Sequence, residues 1–336
     1  MISVENLLES WREFLTGKRK RKDISEFSLR FIDNTLSLYK ELSEKTYKHG
    51  GYQAFKINDP KPRDIHKASV RDRLLHHAIY KILYPYFDKK FIPDSFSCRL
   101  NKGTHKAVNK FREFYYKVGK NSTKTCWVLK CDIRKFFANI NHEILKGILA
   151  KYIEDKDILW LLSQIIDSFN SKRGIGVGLP LGNLTSQLFV NIYLNELDQF
   201  IKHKLKAKYY IRYCDDFMIL GENKEYLTKL IPLINNFLKE KLNLTLHSDK
   251  VIIKKYHQGI DFLGYVALPH YRVLRTKTKT RIFKKIRKKQ QDLQKHLISE
   301  ESFNQSLQSY FGILKHCNGY KIKKRILLIC KKFQRE

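Results

Sequence analysis

Apolar positions in roughly the first 45 residues recur at three- and four-residue spacing. Leu7, Leu8, Trp11, Phe14 and Leu15 form one stripe, and Phe27, Leu29, Phe31, Ile32, Leu36 and Tyr39 a second, which predicts helices. From Tyr52 to Ile65 the pattern changes to two extended runs around Asn58-Asp-Pro-Lys-Pro62, a hairpin signature. A helix is predicted from about Ser69 to Tyr84, stopped by Pro85, and another after Gly103 with Thr104 as its cap. Trp127 to Asp132 reads as a short strand ending in an acid. Asn141 should cap a helix whose apolar face is Ile144, Leu145, Ile148, Leu149 and Tyr152. A turn at Gly178–Gln187 opens a helix with Leu188, Phe189, Ile192, Tyr193, Leu197 and Phe200 inside. Two β-rich runs then flank Cys214-Asp-Asp216, a hairpin with acids at its tip. A helix over 223–241, then strand, turn and strand over Leu242–Lys250 and Val251–Ile253, and helical spacing of Phe303, Leu307, Tyr310, Phe311 and Leu314 complete the pattern.

Composition sharpens this. With 43% hydrophobic residues the chain can bury a core, but 66 Lys and Arg against 33 Asp and Glu leave it at +33. Such an excess concerns partners rather than fold: nucleic acid first, an anionic membrane surface as the rival. The cations are spread along the chain rather than gathered on one amphipathic face, no long apolar run spans a bilayer, and the acidic N-terminus lacks a signal peptide's basic region. A soluble intracellular protein without membrane contact is expected. The six Cys form no Cys-x-x-Cys pair, which argues against a zinc knuckle or a disulfide framework. Local charge is concentrated at Lys18–Lys22 and over 272–296, where 11 Lys and Arg meet one acid, Asp292. The first is equally a solvated loop or a phosphate contact.

The candidate chemistry lies at Tyr213-Cys-Asp-Asp216. Adjacent Asp residues suit a plain turn, but apolar flanks would bury this one, and two buried like charges call for a cation. Mg²⁺ takes carboxylates together with substrate phosphates. Asp132, at the end of its own strand, supplies a third acid for a two-metal centre. Gly174-Ile-Gly-Val-Gly178 has the wrong spacing for a dinucleotide loop.

In this order, these elements resemble the polymerase core of reverse transcriptases, whose hallmark is Tyr-x-Asp-Asp. The resemblance implies an α+β right-hand polymerase with fingers, a palm with an antiparallel sheet and a small helical thumb. Its parts would be an N-terminal helical extension (1–45), fingers (46–125), palm with part of the fingers inserted (126–268) and thumb (269–336). It implies two Mg²⁺ ions, with Mn²⁺ as substitute, held by Asp132 and Asp215, with Asp216 secondary and a backbone carbonyl from Ile133. It places Lys250 at the pyrophosphate leaving group and Lys56, Lys61 and Arg63 on the triphosphate. Phe137 would lie under the sugar and select deoxynucleotides, with Leu181, Gly182 and Gln187 against the nascent base pair. Arg99 and Lys102 would touch template or primer backbone, and Phe262-Leu263-Gly264-Tyr265 would form the primer grip.

Leu181-Gly182 and Ser186-Gln187 depart from the more usual Gln before the glycine and Ser-Pro at the end of this element. With Asp59-Pro-Lys61, Lys102-Gly-Thr-His105 and Gly259-Ile-Asp-Phe-Leu-Gly-Tyr265 they resemble reverse transcriptases of diversity-generating retroelements, within the group II intron-like bacterial family. That implies a bacterial, archaeal or phage-encoded cytoplasmic enzyme making cDNA from a template RNA with a DNA or RNA primer and dNTPs. It further implies errors at template adenines, a small oligomeric accessory protein, and target nicking and integration supplied from elsewhere. An alkyl group at Leu181 in place of an amide should itself relax base-pair discrimination. Retron, abortive-infection or group II intron-type reverse transcriptases are the alternative within enzymes. A non-catalytic RNA-binding protein on this fold is the alternative outside them, although all three acids remain.

Overall fold

A computed structural model describes residues 2–59 and 61–333, with side chains up to residue 330. Pro60, part of the expected 58–62 turn and of Asp59-Pro-Lys61, lies outside the described residues. Helices α1 (Val4–Phe14), α2 (Lys22–Leu29) and α3 (Phe31–Ser43) open the chain. The two apolar stripes meet where Trp11 stacks on Phe31, ring centroids 4.9 Å apart. The second stripe is only partly internal. Thr35, Leu38 and Leu42 are the buried positions of α3, while Leu29, Ile32, Leu36 and Tyr39 are exposed.

Strands β1 (Tyr52–Ile57) and β2 (Arg63–Ala68) pair antiparallel, with Ile57 opposite Arg63 and Lys56 opposite Asp64. Helix α4 (Val70–Asp88) starts at a Ser69 cap and runs on through Pro85 instead of stopping there. Near a helix end the missing proline amide removes a single bond, and burial of Tyr84 and Phe87 offsets it. Helix α5 (Thr104–Val118) is capped by Gly103, at φ +101°, and not by Thr104, which is already helical.

Next come β3 (Trp127–Asp132), α6 (Phe136–Asn139), α7 (His142–Ala150), α8 (Lys156–Asp167) and α9 (Leu184–Gln199). Asn141 caps α7, its side-chain oxygen accepting the Ile144 amide at 3.0 Å. Helix α9 is buried on nearly every side, and its buried positions include the polar Thr185, Ser186, Asn191, Asn195 and Asp198 as well as apolar ones. Then follow β4 (Tyr210–Tyr213), β5 (Asp216–Gly221), α10 (Lys224–Leu242), β6 (Ile252–Lys255), β7 (Ile260–Phe262), β8 (Tyr265–Ala267) and β9 (Arg272–Leu274). Helices α11 (Thr276–Gln294), α12 (Glu300–Leu314) and α13 (Tyr320–Phe333) close the described chain. The strand expected from Leu242 is reduced to a single bridge from Leu246 to Ile133, and the expected turn is a 3₁₀ turn at Ser248–Lys250.

Besides the β1–β2 pair, strands hydrogen-bond in the order β4-β5-β3-β6, and β7-β8-β9 form a third, antiparallel sheet. The chain divides into two compact units, and the division cuts through β3 and β5. The first comprises Met1–Asn101, Cys131–Phe217 and Leu230–Val251, and therefore holds the acid-bearing ends of β3 and β5. The second comprises Lys102–Lys130, Met218–Lys229 and Ile252–Glu336. In its core Tyr115 stacks on Tyr256 at 3.8 Å and Phe111 meets Phe262 at 5.4 Å.

Candidate active site

The turn between β4 and β5 carries Asp215, and Asp216 is the first residue of β5. Cys214 takes φ +57°, a left-handed conformation that costs a non-glycine residue about 1–2 kcal/mol and must be held by its surroundings. Backbone bonds bind this turn to the end of β3. The Ile133 amide donates to the Asp215 carbonyl at 3.2 Å, and the His247 amide donates to the Asp132 carbonyl at 2.8 Å. The carboxyls of Asp132 and Asp215 consequently bear on each other. Burial, and then the Asp132 charge, raise the Asp215 carboxyl above the ordinary Asp range. Lys250 donates its ammonium to Asp132 Oδ1 at 2.8 Å, and its charge also acts on Asp215. Asp216 is half-buried; after burial, its charge is the next influence holding the Cys131 thiol in its neutral form.

Two mutually repelling carboxylates, one already drawing an ammonium, form a donor set suited to a hard divalent cation. Among the described residues no group of three or more His, Cys, Asp or Glu side chains is placed to hold one ion. Backbone oxygen, water and substrate phosphate would have to complete the coordination, as Mg²⁺ accepts.

The same unit brings the β1–β2 hairpin to the loop before α9. The His66 amide donates to the Leu181 carbonyl at 2.9 Å, and Asn183 Nδ2 donates to the His66 carbonyl at 3.2 Å. Gly182 sits at φ +111°, where an added Cβ would lie 2.9 Å from Ile65 Cγ2, so only glycine allows this approach. Lys56, Lys61 and Arg63 are exposed on the hairpin, and Gln187 is half-buried. Phe137 is half-buried beside Phe136, and its carbonyl accepts the Leu179 amide at 2.8 Å. A cavity of about 350 Å³ is lined by Lys18, Arg21, Lys67 and Arg73 together with Gly182 and Gln187. Burial, then Arg21 and Arg73, push the Lys18 ammonium pKa down. The basic run at 18–22 thus contributes two cations to a hollow beside the glycine loop.

Three of the candidate contact residues, Arg99, Phe262 and Tyr265, have their side chains inside the protein. Arg99 is no free cation: its side chain is 6% exposed, and its guanidinium donates to Asp88 Oδ1 at 2.6 Å and to the carbonyls of Ile92, Ser95 and Asp88. Four of its donor contacts are thus made inside the protein. Phe262 and Tyr265 are buried, the Tyr265 hydroxyl donating to the Ile313 carbonyl, so their side chains are core. Only Leu263 and Gly264, at φ +51° and +88°, present that turn outward. Lys102, in the second unit, is half-exposed ahead of α5.

Residues 48–267 match the family model for reverse transcriptase (RNA-dependent DNA polymerase), about two thirds of the sequence. The chain belongs to the reverse transcriptase family. Family members generally use divalent metal ions, consistent with the acid pair above. Among curated relatives, the chain is 25% identical over 278 residues to the group II intron-encoded protein LtrA of Lactococcus lactis subsp. cremoris, covering 62% of this chain and 45% of LtrA. It is 24% identical over 233 residues to the protein YkfC of Escherichia coli, covering 59% of this chain and 61% of YkfC. It therefore spans less than two thirds of the length of either relative. Among solved structures, the apo telomerase of Candida tropicalis shares the fold, with a TM-score of 0.51 at 15% identity, covering 73% of this chain and 54% of that one. The mixed helical and antiparallel architecture is thus the reverse transcriptase fold. Among the described residues no helix is long and apolar enough to cross a membrane.

Sequence reading missed Arg212 and Asp198, both without solvent exposure. A signal was present at one of them: Arg212 is the single charge in the otherwise apolar strand Tyr210–Tyr213.

Proposed function

We propose that this reverse transcriptase makes cDNA from a template RNA, extending a DNA or RNA primer with dNTPs. The observation that carries the reading is the pairing of Asp132 and Asp215 at adjacent strand ends, with Lys250 bonded to the first. Asp132 and Asp215 would hold two Mg²⁺ ions, Mn²⁺ substituting, with the Ile133 carbonyl as a further oxygen and Asp216 backing the turn. Bound divalent ions supply an acidified primer 3′-hydroxyl and charge neutralisation at the leaving pyrophosphate. Lys250 adds a fixed cation, and a proton donor, on the pyrophosphate side. Arg63, with Lys56 and Lys61, clamps the triphosphate by charge-assisted bonds. Phe137 blocks a ribose 2′-hydroxyl. Gly182, Leu181 and Gln187 back the nascent base pair, and the cations around the nearby cavity take template phosphates. Lys102 and the Leu263-Gly264 turn contact template or primer.

Within the family, the Leu181-Gly182 and Ser186-Gln187 pattern favours a diversity-generating retroelement enzyme, error-prone at template adenines, serving mutagenic retrohoming with a small oligomeric accessory protein. The half-buried Leu181 offers an alkyl group where an amide would add a directional bond. The similarity to LtrA favours the second reading, an intron-type enzyme of higher accuracy. Sequencing cDNA made on a defined RNA template separates them. Errors concentrated opposite adenine, reduced in Leu181→Gln, support the first; uniformly accurate copying supports the second.

A further inference from the structure

Asp198 of α9 and Arg212 of β4 form an ion pair with no solvent exposure on either side chain. Arg212 Nε and Nη2 donate to Asp198 Oδ1 and Oδ2 at 2.7 and 2.6 Å, and the Tyr210 hydroxyl donates to Oδ1 at 2.6 Å. Two charges this far from water carry a large desolvation cost, and apolar residues of similar volume would often fill such a site at least as well. The remaining guanidinium nitrogen shows what packing alone would not provide. Nη1 donates to Asn191 Oδ1 at 3.3 Å and to the Cys214 carbonyl at 3.2 Å. Cys214 is the left-handed residue directly before Asp215. Arg212 is itself held on every side. Its amide donates to the Asp94 carbonyl and its carbonyl accepts the Phe96 amide, both at 3.0 Å, while Asn191 Nδ2 donates to the Ser97 carbonyl at 2.9 Å.

We infer that Arg212, clamped by Asp198 and Asn191, is a positioning residue: it fixes the Cys214 carbonyl, and so the strained turn that aims the Asp215 carboxylate at Asp132. It does not touch substrate or metal. Asp198 and Asn191 share α9 with Gln187, and Gly182 lies just ahead of its start, so one buried helix carries both the clamp and the edge of the base-pair loop. The inference rests on the reading of Asp132 and Asp215 as metal ligands.

Mn²⁺ binding to the full chain, followed by electron paramagnetic resonance without nucleic acid, tests it in a form independent of turnover. Arg212→Lys keeps a charge against Asp198 but has no second nitrogen for Cys214. The double variant Arg212→Met/Asp198→Leu fills the core without charges and guards against a folding failure of the first. Circular dichroism establishes that each variant is folded. With wild type binding and Asp215→Asn not binding, either folded Arg212 variant should bind about tenfold more weakly. Primer extension should show a matching rise in Mg²⁺ requirement with dNTP KM within about twofold. Folded Arg212 variants that bind Mn²⁺ like wild type overturn the inference and leave the metal reading intact. Wild-type binding by Asp215→Asn overturns the metal reading, and the inference with it.

Discussion

The Lys250 ammonium donates to Asp132 Oδ1 at 2.8 Å, pairing the acid that ends β3 with a cation from a one-turn helix 118 residues further along the chain. The pair is 44% exposed on the lysine side, so its weight lies in chemistry more than in stability. Lys250→Met should lower the single-turnover rate about 10²-fold, by removing a proton donor and fixed charge at the leaving group. Its effect on unfolding free energy should stay within about 1 kcal/mol. An unchanged single-turnover rate would remove Lys250 from the reaction.

Asp215 predicts an unusual pH dependence of stability. Its carboxyl is raised above the ordinary 3.8 by burial and then by the Asp132 charge. Between the ordinary and the raised value the folded chain binds more protons than the unfolded chain. Stability should therefore fall as pH rises through that window, and the penalty persists above it. In thermal melts with chelator, Asp215→Asn should melt higher than wild type at neutral pH and equally near about pH 3, below both values. Adding Mg²⁺ should raise the melting temperature of wild type and leave the variant unmoved.

Gly182→Ala places a methyl 2.9 Å from Ile65 Cγ2 on a backbone at φ +111°. Strain of this kind costs about 1–3 kcal/mol, and relief would push the β1–β2 hairpin away from the loop before α9. Lower stability with a raised KM for dNTPs is expected. A lower melting temperature with unchanged KM would separate this contact from nucleotide binding.

Cations of two kinds should behave oppositely. Arg99→Ala breaks several internal bonds of a buried guanidinium and should cost about 2 kcal/mol, with no change in how nucleic-acid binding depends on salt. Lys284, Arg287 and Lys288 line one face of α11, in a groove with Arg325. Replacing all three by Gln should leave the melting temperature nearly unchanged and reduce the log–log salt slope of duplex binding by about 2 to 3. Filter binding across a salt series reads both.

Much of this was legible in the sequence because periodicity and chemistry agreed. The hairpin tip at Asp215-Asp216, the strand end at Asp132 and the Asn141 cap each rest on local pattern, and local pattern survives folding. What was not legible depends on partners distant in sequence. Arg99 looked like a surface cation because its acceptor Asp88 lies 11 residues away across a loop. Phe262 and Tyr265 looked like a binding turn because nothing local reveals the Phe111 ring or the Ile313 carbonyl that bury them. Pro85 failed for another reason: tertiary burial of Phe87 outweighed a local helix-breaking rule. The Arg212–Asp198 pair escaped because a charge in an apolar strand is visible, but its partner 14 residues earlier is not.

The most direct measurement is primer extension on an RNA template with four dNTPs and Mg²⁺, comparing wild type with Asp132→Asn and Asp215→Asn, all shown to be folded. Wild type should synthesise DNA in a reaction that chelator abolishes, and either variant should lose at least about 10³-fold. Synthesis by folded Asp215→Asn at the wild-type rate, or none by wild type given its RNA template, primer and divalent ions, would contradict the proposed function.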